Sequence, residues 1–394
     1  MATRTPKPLA WLYSLGPLAL IVGLLAIFIA LDPIGSLRSV PPQEAIAFER
    51  VTLHPGTIEL HVRNDGPDTL NVAQVIVNDA FWAFDASRTE VGRLETSEIT
   101  IDYPWDEGVP LNIALVSSTG ATFEHEIALA SETPEADAAV FAVYGLLGLY
   151  IGVIPIAVGL LWFPALRRAS QRTLGFFLAF TVGLLSFLLV DTIAEGLDIA
   201  GEVAGALDGI ALFAIGALAA LLGLTALEGT LTGRRSANRA AGTPLAGLAV
   251  AYLVAAGIGL HNLGEGLAVG AALAAGEAAL GTFLVVGFAL HNTTEGLAIV
   301  APLGGESKRP GAKHLIALGA LAGVPTIFGA WAGGFAFTPF WAALAFGLAA
   351  GAIAQVVWTI GRHLPEKAKL NSGIGALGFL IGLLFMYVTG LFAG

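Results

Sequence analysis

The chain has 394 residues, 56% of them hydrophobic and 12% charged, with a net charge of −11. Soluble globular domains carry about 25% charged residues, so a wholly soluble fold lacks the polar surface it needs, whereas fifty glycines suit close helix packing in lipid. The absence of cysteine excludes disulfides, thiolate metal sites, blue-copper sites and cysteine nucleophiles.

Residues 10–31 form an apolar run long enough to span a bilayer, preceded by Arg4 and Lys7. A cleavable signal peptide is the rival reading. The run is long for one, and no small-residue cleavage site follows at once, so a retained anchor is expected over 1–36. Residues 32–137 then hold 19 of the 30 acids and 5 of the 19 bases. Here Ile58, Leu60 and Val62 alternate with Thr57, Glu59 and His61, and the alternation recurs at Leu111, Ile113 and Leu115. Turn-forming clusters such as Asn64-Asp65-Gly66-Pro67 separate the runs. This pattern predicts an all-β, sandwich-like domain over 37–136. His54, His61 and His125 fall in it and could capture metal, but a solvated polar face is the expected setting for His61, which alternates with Glu59 and Arg63.

From 137 to 394 the chain reads as an α-helical polytopic bundle of eight spans, near 138–164, 174–198, 205–231, 245–273, 279–302, 314–335, 339–361 and 373–392. Placing the N-terminus in the cytoplasm puts Arg167, Arg168, Arg172, Arg234, Arg235, Arg239, Lys308, Arg309, Lys313, Arg362, Lys367 and Lys369 in inner loops. The other bases beyond Arg4 and Lys7 all lie in the β-domain. The positive-inside rule therefore predicts an extracytoplasmic β-domain and C-terminus in a cell membrane.

The fourth and fifth spans carry a repeat. His261-Asn262-Leu263-Gly264-Glu265-Gly266 recurs as His291-Asn292-Thr293-Thr294-Glu295-Gly296. On a helix, His at i and Glu at i+4 share a face one turn apart, so two such helices offer four metal ligands. Asn262 and Asn292 add carbonyl oxygens one position round. Asp191 and Glu195-Gly196 in the second span form a fainter echo, read as an acidic wall of the same path. An intramembrane acid costs roughly 2.5–3.5 kcal/mol. No Lys or Arg lies between Arg172 and Arg234 or between Arg239 and Lys308 to offset Asp191, Glu195, Glu265 and Glu295. A bound cation would neutralise them, and imidazole with carboxylate suits zinc and related divalent ions.

These motifs resemble those of the ZIP (Zrt/Irt-like) metal transporters, particularly the GufA-like prokaryotic branch. The likeness covers about 138–394 and leaves the anchor and β-domain outside it. It implies eight spans, a primary metal site from His261, Glu265, His291 and Glu295, and a neighbouring position faced by Asn262 and Asn292. The family's Pro before the motif Glu is replaced by Gly264 and Thr294, and its bridging glutamate by Val324 before Pro325, so one site is expected rather than a pair.

The expected function is movement of a divalent metal, foremost zinc, into the cytoplasm, with the ion as transported substrate, no organic cofactor and no enzymatic activity. The alternatives are an intramembrane zinc hydrolase and a metal sensor. The expected partners are the metal ion and membrane lipid; a homodimer is a candidate assembly, and nothing points to nucleic acid. Glu228 is a candidate for the inner exit, and His314 and His363 are read as interfacial.

Overall fold

The computed structural model describes residues 7–31, 43–238, 246–275, 278–305, 309–362 and 364–391. Arg4, Arg239, Lys308 and His363 lie outside the described residues. The chain forms two compact units, Met1–Gln43 and Glu44–Gly394. In the first, helix α1 (Lys7–Leu31) contains Pro17. Its 25 residues span about 37 Å at 1.5 Å per residue.

The second unit opens with nine strands: β1 (Ile46–His54), β2 (Thr57–Asn64), β3 (Leu70–Val77), β4 (Ala80–Trp82), β5 (Phe84–Ala86), β6 (Glu90–Val91), β7 (Thr96–Asp102), β8 (Leu111–Ser117) and β9 (Thr122–Ile127). One antiparallel sheet runs β1-β2-β7-β5; the other runs β4-β3-β8-β9, with β6 paired to β3. The alternating apolar residues supply a shared core: Ile58, Leu60, Ile99 and Ile101 from the first sheet meet Val75, Val77, Ile113 and Leu115 from the second. The tight turns sit where sequence permits positive φ, as at Gly56 (φ 78°) between β1 and β2.

Among the described residues eight helices long and apolar enough to cross a membrane follow: α2 (Ala138–Arg168), α3 (Gln171–Glu202), α4 (Gly205–Thr230), α5 (Gly247–Ala274), α6 (Gly281–Leu303), α7 (Ala312–Ala336), α8 (Pro339–Arg362) and α9 (Gly373–Gly390). The chain thus reads as a multi-pass membrane protein. Its spans fall within a few residues of the sequence expectation. Large apolar side chains such as Ile215, Leu222, Phe328 and Trp358 cover the outer surface, as lipid contact requires. Several starts carry polar caps: Asp137 accepts from Val140 N at 2.7 Å, and Ser170 accepts from Thr173 N at 3.1 Å.

Helix α5 packs along α7, while α2 lies against α6 and α7. Helix α3 packs on α8 and α9, and α4 on α8. The α5–α7 contact is close because Gly266 presents no side chain: a Cβ there would lie 2.1 Å from the Thr326 carbonyl oxygen. The β-domain is tied to the bundle at two places. The Asp65 carboxylate accepts from Gly205 N and Ala206 N, each at 2.7 Å. Arg50 Nη1 donates to Phe335 O at the end of α7, at 3.1 Å.

Candidate metal centre

Two of the helices carrying the repeated motif bring three ligands to one point. The ligand atoms of His261, Glu265 and His291 lie within 4.8 Å of one another, and all three residues are buried. Glu265 is the hub. Its Oε1 faces His261 Nε2 at 3.2 Å and is in contact with His291 Nε2. Its Oε2 accepts from Asn292 Nδ2 at 2.7 Å.

The protonation pattern of His261 follows from its other ring nitrogen. Thr192 Oγ1 donates to the Leu188 carbonyl at 2.7 Å, the usual bond of a helical threonine to residue i−4. That spends its proton, so the hydroxyl oxygen accepts from His261 Nδ1–H at 3.0 Å. In a neutral ring with that tautomer Nε2 carries a lone pair, and it faces a carboxylate oxygen. Two acceptors face each other. A proton or a metal ion between them resolves the opposition. Two ligands at about 2.0–2.2 Å from a tetrahedral zinc lie roughly 3.3–3.6 Å apart, a little beyond the 3.2 Å found here.

The surrounding polar atoms have the same bias. Asn262 Nδ2 donates to Ala322 O at 3.1 Å, and Asn292 Nδ2 donates to Ile151 O at 2.8 Å. Both amides are thereby fixed, and both Oδ1 atoms are buried with no hydrogen-bond partner. The Ile151 carbonyl is available because Pro155, four residues on, has no N–H to give it. The backbone there forms a π-helical turn, Leu149–Val153, inside α2. Both oxygens of the fully buried Glu295 also lack a partner; the Asn262 amide is nearby but outside hydrogen-bond geometry. Buried acceptors are normally satisfied. Among the described residues six buried side-chain oxygens share this lack of a partner: these four, Thr326 Oγ1 and, away from the centre, Gln355 Oε1.

The predicted residues are not all equivalent. Glu295 lies outside the three-residue cluster, within electrostatic reach of Glu265. Glu195 is half-buried and within the same reach of Glu265. Asp191 is exposed and outside the cluster. The residue of α3 that touches the centre is its neighbour Thr192, which stands at the Asn position of the motif echo. Sequence reading missed it, although the alignment of Asp191-Thr192 with His261-Asn262 marks the place. It also missed Asp198 and Glu202. Together with Asp191 and Glu195 they fall at i, i+4, i+7 and i+11, one stripe along α3 from the level of the centre to the helix end. Glu195 interacts with Asp191 and Asp198, and Glu202 with Asp198.

Glu228 has a different setting. It is buried, ion-paired with Arg362, and accepts from Gln355 Nε2 and Thr359 Oγ1 at 3.0 Å each. These contacts bind α4 to α8, a structural role that the exit-lining expectation did not include. His314 Nδ1 pairs with the Tyr252 hydroxyl at 2.9 Å and is exposed.

No protein-family model matches the chain, and no curated protein matches it.

Proposed function

We propose that this chain carries a divalent metal cation across a membrane, through a centre held by α5 and α6. The observation that carries the reading is the buried set around Glu265: two imidazole nitrogens meeting one carboxylate oxygen, with nearby amide and carboxylate oxygens that have no donor. Such a set is costly when empty of charge and favourable around a cation. Imidazole nitrogen with carboxylate oxygen favours zinc and its neighbours over calcium or magnesium, which prefer all-oxygen shells.

In this reading the ion is the substrate. The acidic stripe of α3, Asp191, Glu195, Asp198 and Glu202, lowers the energy of a cation approaching from the end of the bundle nearest the β-domain. His261, Glu265 and His291 take the dehydrated ion, and Glu295 and the Asn oxygens stabilise its charge. The distribution of Arg and Lys supports delivery into the cytoplasm. The resemblance to ZIP-type transporters supports the same activity, with the β-domain as an addition.

Reconstituted vesicles loaded with a zinc-sensitive dye test the proposal. Zinc uptake is expected with the wild-type chain and at background with Glu265→Ala. Equal uptake by the two would overturn it.

A further inference from the structure

The β-domain gathers a second set of metal-ligating side chains. Strand β2 is central to its sheet, flanked by β1 and β7. In that register His61 lies directly opposite Glu98, and Glu59 precedes it by two residues on the same face. The ligand atoms of Glu59, His61 and Glu98 lie within 4.8 Å of one another. A second imidazole approaches from the neighbouring strand: His54 Nε2 is 3.9 Å from Glu59 Oε2.

The basic groups of this face are committed elsewhere. Arg63 is bound to Glu49 at 2.5 Å and donates to Leu94 O. Arg50, opposite His61 on β1, reaches Phe335 O of the bundle. Among the described residues no Lys or Arg forms an ion pair with Glu59 or Glu98. Two carboxylates brought together across strands repel when nothing neutralises them. The strands fix their spacing, so the repulsion is not relieved by moving the backbone.

We infer that Glu59, His61 and Glu98 form a second divalent-metal site, built on the β-domain and chemically suited to zinc-class ions, with His54 placed to add a fourth ligand. The imidazole argues against calcium or magnesium, and the mixed N/O set matches that of zinc sites. The ligands are half-buried or exposed, which makes this an open site that exchanges its ion with solvent. Directly opposed strand residues project to one face, so the site shares its face with Arg50, the residue that contacts the end of α7. It is therefore on the side of the domain turned toward the bundle. A role in capturing ions for the bundle rests on the transport reading; the site itself does not.

Equilibrium dialysis of the full-length protein in detergent against zinc tests it. The His261→Ala/His291→Ala variant is the background, because it removes the bundle ligands. That variant is expected to retain one zinc per chain. Adding His61→Ala or, conservatively, Glu98→Gln is expected to weaken this binding at least about tenfold, with the β-sheet circular dichroism unchanged. Loss of all zinc from the background variant, or binding undiminished by both added replacements, overturns the inference. A failure of the bundle reading gives a different result: the background variant then binds as much zinc as wild type, while His61→Ala still removes one ion.

Discussion

Replacing Gly266 by alanine tests the geometry that places Glu265. The added Cβ would lie 2.1 Å from Thr326 O and 2.8 Å from Ala330 N, both backbone atoms of α7. A carbon–oxygen contact needs about 3.3 Å, so α5 and α7 must separate locally by roughly 1 Å. Overpacking of this kind costs about 1–3 kcal/mol. The adjoining Glu265 meets α6 through His291 and Asn292, so a displacement of α5 also opens the candidate metal centre. Gly264→Ala is the control, two residues away in the same motif. The nearest atoms to its Cβ would be those of the Phe346 ring, at 3.3 Å, and alanine has the better helix propensity by about 1 kcal/mol. Thermal unfolding in detergent should show a Tm lower by several degrees for Gly266→Ala, with weaker zinc binding, and little change for Gly264→Ala. Equal Tm values for the two variants would refute the reasoning.

Two further outcomes are expected. Thr192→Val keeps the volume but removes the acceptor of His261 Nδ1–H, and should weaken zinc binding about 10–100-fold without loss of fold; unchanged affinity would show that the hydroxyl does not set the tautomer. Burial lowers the affinity of His125 for a proton in the folded β-domain, where its ring stacks on Phe48 with centroids 4.9 Å apart. The unfolded chain then binds the proton more readily than the folded one, so stability falls as pH drops below about 6.5. Hydrogen exchange of β1 and β9 should report this loss, and His125→Phe should lessen it; identical pH profiles for the two proteins would count against the stacking argument.

What the sequence made legible was periodic or repeated. Eight apolar runs mark the spans because lipid requires continuous hydrophobic length. Alternation marks β2 and β8 because one face of each is buried. The duplicated His-Asn-x-x-Glu-Gly identified His261, Glu265 and His291 because a helix fixes which positions share a face. Contacts between distant segments were not legible. Nothing local in Thr192 says that its hydroxyl meets a histidine 69 positions on. The echo in α3 drew attention to Asp191, yet a helix turns about 100° per residue, and the next side chain is the one that points to the centre. Glu228 likewise looked like a lone acid in a span, because Gln355, Thr359 and Arg362 come to it from α8. His61 looked like a solvated surface residue because the strand carrying Glu98 is more than thirty positions away.

The bond from Asn292 to Ile151 has a wider meaning. The orientation of an amide in the candidate metal centre is specified from another helix, by a residue that never touches it. Pro155 contributes by what it withholds: one absent backbone hydrogen leaves a carbonyl open to a side chain 141 positions later. A change of Pro155 to a residue that supplies that hydrogen would give Asn292 a competitor for the Ile151 carbonyl. The boundary of the candidate centre is therefore set by which backbone donors are present as much as by distance to Glu265.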